Sequence, residues 1–212
     1  KSVGHREAFT AAFKEIYGVD GSIDTINYHG KTDRRIIREV LAQAGVVQAE
    51  VDSKMIACMD AMCDHFDRSS DTNVADIFPG VTETLDKLDT ENNLLGLVTG
   101  NLEAIAHGKL AIAGIDRHFR LGGFGSDAEQ RSDLVKKAIK DATDQFGFDD
   151  IDNVYVFGDT PHDIKAAIAG GAKAIGVTTG VYSEQDLYDA GAHKVIDGIA
   201  DQNAVLDALS TV

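Results

Sequence analysis

Residues 5–17, HREAFTAAFKEIY, place apolar side chains at Phe9, Ala12, Phe13, Ile16 and Tyr17. That spacing of three and four is the period of one helix face and predicts a helix. The glycines of YGVDGS break it. Thr32 or Asp33 then offers a cap to a second helix, DRRIIREVLAQAG, which Gly45 ends. Residues 49–67 predict a third. Roughly the first 75 residues carry no strand pattern.

The texture changes at DIFPGVTETLDKL, where Pro79-Gly80 makes a turn and a helix follows. From there apolar runs alternate with helical patterns. NLLGLVTG, FRLGGFG, NVYVFGD, AKAIGVTTG and AHKVID predict strands. NLEAIAHGKLAIAG, RSDLVKKAIKDATDQFG, PHDIKAAIAGG, SEQDLYDAG and DQNAVLDALS predict helices. Strand–helix alternation implies an α/β, Rossmann-like parallel sheet with helices on both faces. Ligands of such sheets sit beyond the carboxyl ends of the strands. LVTGN, VFGDT and GVTTG are polar, glycine-containing strand ends and are expected to form one rim. No internal repeat is present.

Composition narrows the choice of partner. The net charge is −15, from 20 basic and 35 acidic residues. That argues against nucleic-acid and anionic-membrane surfaces, which need basic patches. An anionic small substrate stays possible, since it needs only a local positive pocket or a metal. No apolar run has membrane length, and no signal-peptide pattern is present. Cys58 and Cys63 are too few and too widely spaced for a zinc site and read as free thiols, which points to a cytoplasmic location. The chain opens on Lys1 rather than methionine, which suggests a fragment or a processed chain.

Three strand ends carry candidate chemistry. In LVTGN, Thr99 offers a hydroxyl, Gly100 permits close backbone approach, and Asn101 can cap the next helix. Together these suit a phosphoryl group, and they equally suit a plain strand-to-helix turn. In VFGDTPHDIKAA, Asp159 leaves the strand and Asp163 follows one helical turn later. Two carboxylates facing one point suit a hard cation such as magnesium. The other reading makes Asp159 a helix cap and Asp163 a first-turn acid. Arg131, at a helix start, could neutralise a nucleophile–phosphate pair. Lys136 and Lys137 lie further into that helix and read as a solvated face. HGKT, residues 29–32, has the ending of a P-loop, but Thr25 stands where that motif needs glycine and no strand precedes it. His29, His65, His107 and His118 show no partner pattern and read as surface or helix residues.

LVTGN, Arg131 before an amphipathic helix, and VFGDTPHDIKAAIAGGAKAIGVTTG together resemble the haloacid dehalogenase superfamily of hydrolases, its phosphoglycolate-phosphatase-like members above all. The resemblance implies a helical cap over residues 1–76, where GKTDRRIIREVL is similar to that cap, and an α/β core over 77–212. It implies a magnesium-dependent phosphatase acting on a small phosphorylated metabolite through an aspartyl-phosphate. It gives Thr99, Gly100 and Asn101 the phosphoryl group, and Arg131 the family's usual lysine position. It makes Asp159 a magnesium ligand and gives Asp163 a place at the metal, directly or through Asp159 or a bound water. Lys31 is the expected substrate contact from the cap. The family's first motif, D-x-D-G-T, supplies the attacking aspartate and is absent from these 212 residues. KSVGHREAF resembles the segment that follows it, so the motif is expected upstream of Lys1, and the 212 residues alone are expected to be inactive. A dehalogenase would lack Asp159. A phosphomutase, a phosphonate hydrolase or a non-catalytic phosphate-binding relative remains an alternative. The protein is expected to be a monomer or homodimer.

Overall fold

The computed structural model describes residues 2–69, 77–91 and 93–212. Its helices are α1 (Val3–Tyr17), α2 (Asp33–Gln43), α3 (Gln48–Arg68), α4 (Val81–Thr90), α5 (Glu103–Ile112), α6 (Arg131–Phe146), α7 (Pro161–Gly170), α8 (Glu184–Asp189) and α9 (Gln202–Thr211). Its strands are β1 (Gly96–Val98), β2 (Leu121–Gly123), β3 (Tyr155–Gly158), β4 (Lys173–Val177) and β5 (Lys194–Ile196). The chain divides into two compact units. The first comprises Lys1–Asp76, Thr99–Asp116 and Phe124–Glu129; the second comprises Ile77–Val98, Arg117–Gly123 and Gln130–Val212. The boundary expected at residues 76 and 77 abuts residues 70–76, which lie outside the described residues.

The first unit is helical because its sequence is periodic at the helix repeat. The Ser2 hydroxyl accepts from the His5 amide at the start of α1, and the Thr32 hydroxyl from the Arg35 amide at the start of α2. Phe9, Phe13, Ile36, Leu41 and Met62 are fully buried, and α1 lies along α3. Each such side chain contributes about 1.5–3 kcal/mol of burial free energy. Leu102 and Ile105, from the start of α5, join the same core.

Cys58 is buried here and Cys63 half-buried, both as free thiols. Burial pushes the Cys58 thiol up to about 12. Burial, with the Asp67 and Asp60 carboxylates nearby, pushes Cys63 up to about 11. Both therefore stay thiols at neutral pH, and the thiolate is the reactive form. Native protein at pH 8 is expected to react with Ellman's reagent far more slowly than denatured protein. Equal rates would show that these thiols are open.

The second unit is α/β with parallel strands. Among the described residues the single sheet expected from the strand pattern is two sheets, β1–β2 and β3–β4–β5. Within the second sheet Gly158 lies opposite Gly176, and Gly176 opposite Val195. Val98 of β1 and Val156 of β3 line one cleft, and the two strands share no hydrogen-bond ladder among the described residues. β3 and β4 end together, whereas LVTGN belongs to the other sheet, so the one expected rim is divided too.

His118 corrects another expectation. It is 1% exposed, with Nε2 3.5 Å from Asp86 and Nδ1 3.8 Å from Asp89, both on α4. A short 3-10 turn over Asp116–His118 carries its ring inward. Among the described residues no helix is long and apolar enough to cross a membrane.

Candidate active site

β3 runs apolar to Gly158 and delivers Asp159 at its carboxyl end. Thr160 then caps α7, with Pro161 in its first turn. Asp163 is the third residue of that helix and completes a capping box. Its Oδ2 accepts from the Thr160 hydroxyl at 2.8 Å and the Thr160 amide at 3.2 Å. Its Oδ1 meets Arg131 Nε at 2.7 Å, with the Asp163 side chain 9% exposed. Both oxygens are thus engaged, and Asp163 is held as a capping, ion-paired carboxylate rather than presented as an open ligand. Arg131 opens α6, as the sequence predicts, and the carboxylate it neutralises is Asp163.

Asp159 is different. Among the described residues it makes no salt bridge. Burial, then the neighbouring Asp163 charge, hold its carboxyl above the usual carboxylate range; Arg131 acts the other way. Val98, Arg131, Val135, Val156, Asp159 and Asp163 line one cleft of about 120 Å³. The loop after β4 closes on the same group: a Cβ at Gly180 would stand 2.5 Å from Asp159 Oδ2. A half-buried anion that its surroundings disfavour fits a hard divalent cation. Magnesium keeps several waters and takes one or two protein carboxylates. Asp159 can serve as such a ligand, with Asp163 holding its place behind it. Among the described residues no group of three potential ligands stands ready without waters or substrate.

The other candidates lie in the first unit. The Thr99 hydroxyl accepts from the Asn101 amide at 3.2 Å, which leaves its own proton to donate elsewhere. Gly100 does allow a close approach, but the approaching group is protein backbone: a Cβ there would stand 2.6 Å from the Lys31 carbonyl oxygen. Asn101 does not cap α5. Leu102 occupies that position without a side-chain bond, and the Leu102 amide donates to Asp33 instead. Lys31 gives its ammonium to Glu39 on α2. The structure therefore gathers Arg131, Asp159 and Asp163 in one unit, and Thr99, Gly100, Asn101 and Lys31 in the other.

The family model for haloacid dehalogenase-like hydrolases matches residues 3–177. The chain belongs to this family. It is 30% identical over 133 residues to the protein named Probable phosphatase IndB of Dickeya dadantii (strain 3937), a match that takes in 63% of this chain and 57% of that relative. A hydrolase from Pseudomonas syringae superposes with a TM-score of 0.65 at 20% identity, over 97% of this chain and 91% of that one. A predicted phosphoglycolate phosphatase from Haemophilus somnus 129pt gives 0.61 at 19% identity, over 96% of this chain and 90% of that one. At such identities these likenesses show the shared α/β fold alone.

Reading the sequence missed His5 and the burial of Asp33. His5 sits on the same face as Phe9 and Ala12, so the helical period that predicts α1 already marks it as inward-facing. Nothing comparable marks Asp33, because an acid in a helix's first turn is ordinary at the surface.

Proposed function

We propose that the protein is a magnesium-dependent phosphatase acting on a small phosphomonoester through an aspartyl-phosphate. The observation that carries this reading is Asp159, a half-buried carboxylate at a strand's carboxyl end without an ion pair among the described residues. Asp159 would hold the ion, and the ion would supply positive charge against the phosphoryl oxygens. Asp163 would act from behind, fixing the turn through Thr160. Arg131 would keep the Asp163 charge compensated while adding positive potential to the cleft. Thr99 would donate its free hydroxyl proton to a phosphoryl oxygen. Catalysis of this kind is mainly positioning and charge neutralisation.

The attacking aspartate is not assigned within these residues. Among the described residues β1 and β3 each have one strand partner, β2 and β4. A further parallel strand between them would emerge beside Asp159 and could carry the attacking group. Residues 1–212 alone are accordingly expected to show no turnover.

The test uses the full-length protein and p-nitrophenyl phosphate. Turnover is expected with magnesium and to vanish in excess chelator, returning when magnesium is restored. Undiminished hydrolysis in chelator would remove the metal from the reading. Absence of hydrolysis under both conditions would remove the phosphatase.

A further inference from the structure

The Thr99–Leu102 turn is gripped from one side by a single residue of α2. The Asp33 amide donates to the Gly100 carbonyl at 2.6 Å. The Asp33 carboxylate accepts from the Leu102 amide at 2.9 Å. One residue therefore holds the backbone of the turn at two points, two residues apart. On the other side, the Gly125 amide donates to the Asn101 carbonyl at 2.7 Å.

Asp33 is itself held. Its side chain and that of His5 are both fully buried, with His5 Nε2 2.9 Å from Asp33 Oδ2. Lys109 Nζ lies 2.9 Å from His5 Nδ1. An ammonium group can only donate, so Nδ1 is the acceptor and the ring proton sits on Nε2, the nitrogen at ion-pair distance from Asp33. Lys109, His5, Asp33 and Leu102 thus form one chain of close polar contacts ending on the buried carboxylate and the Leu102 amide. A buried carboxylate without such donors would be strongly unfavourable. Its persistence here indicates a defined geometric task, and the group it reaches is the turn that carries Thr99.

We infer that Asp33 is a positioning residue that holds the Thr99–Leu102 turn in the shape that receives a phosphoryl oxygen, with His5 and Lys109 fixing its orientation. The phosphoryl part of this inference rests on the phosphatase reading. Asp33 touches no substrate; it acts through backbone groups of the turn.

The test measures two quantities on full-length protein: inorganic phosphate binding by calorimetry with magnesium present, and hydrogen exchange of the Asn101 amide. Asp33→Asn keeps the size of the side chain and removes its charge. Leu102→Pro removes the N–H that Asp33 accepts together with a buried leucine side chain, and Leu102→Ala, which trims the side chain and keeps the N–H, is its control; φ of −59° at Leu102 suits proline, so this pair serves even if the first variant does not fold. Asp33→Asn, against wild type, and Leu102→Pro, against its control, are each expected to weaken phosphate binding at least about fivefold and to speed Asn101 exchange, the order expected for a lost charge-assisted bond. Unchanged phosphate binding in either comparison, with the variant folded, would overturn the inference. If wild-type protein binds no phosphate, the phosphatase reading fails, and Asn101 exchange alone decides the clamp. Exchange equal to wild type would then overturn it.

Discussion

Asp159→Asn is expected to cut magnesium-dependent turnover of the full-length protein at least tenfold, about 1.4 kcal/mol of barrier, while raising its melting temperature. The two effects have one cause. Burial and the Asp163 charge hold the Asp159 carboxyl above its ordinary range, so the folded state disfavours the anion. An asparagine has nearly the same shape and no charge to disfavour. In the unfolded chain the carboxyl ionises normally, so the penalty on the folded state sets in above the ordinary carboxylate pKa and is complete above the raised one. The gain from Asp159→Asn should therefore be present at pH 7, reduced by partial solvent screening. It should fade toward pH 3, where both states hold the proton. Saturating magnesium should narrow the gap, because a cation stabilises the wild-type folded state and not the variant. Wild-type turnover in this variant would take Asp159 out of the site. An unchanged or lowered melting temperature at pH 7 would show that its charge is compensated.

The elements were legible because each has a local cause. Apolar spacing in HREAFTAAFKEIY and DRRIIREVLAQAG is enough for α1 and α2, and the apolar runs ending in LVTG and VFGD mark β1 and β3. Asp159 and Arg131 were legible for a related reason. A charge placed where a strand ends or a helix begins is informative without tertiary knowledge. The division into two sheets was not legible, because strand pairing depends on which edges meet, and an apolar run does not encode its neighbour. Gly100 illustrates the same limit: the sequence says that something comes close, but Lys31, distant in sequence, is what does. Lys31 drew attention as a substrate contact and Asn101 as a helix cap, yet the Lys31 ammonium goes to Glu39 and Leu102 takes the cap position, while the Asn101 backbone carbonyl accepts from Gly125. Asp33 was the opposite case, an ordinary-looking first-turn acid whose burial depends on His5 and Leu102 arriving from other helices.

Gly158→Ala is expected to be the most destabilising small substitution at the Asp159 strand end. Gly158 does not adopt a positive φ, so an alanine meets no backbone strain there. The obstacle is space. A Cβ would overlap the Asp163 Cβ and stand 2.9 Å from its Cγ and 3.2 Å from its Oδ2. Asp163 cannot rotate out of the way, because the overlap is with its Cβ, which moves only with the backbone of α7. Either β3 or the first turn of α7 must shift. A shift of α7 pulls Asp163 from Thr160 and from Arg131, so the cap and the ion pair are lost along with the packing. Overpacking costs about 1–3 kcal/mol and a lost cap about 1 kcal/mol. A total near 3 kcal/mol lowers the melting temperature by roughly 6–12 °C. Gly45→Ala supplies the comparison: Gly45 has φ +80° and nothing within 4 Å of an added Cβ, so it reports strain without overlap. Its cost should be about 1–2 kcal/mol, with turnover preserved. Gly158→Ala should exceed that in thermal melts and should lower turnover as well, since Asp159 is the next residue along the moved backbone. If the two variants melt alike and turn over alike, β3 and α7 have room between them, and Asp163 is not held fixed behind Asp159.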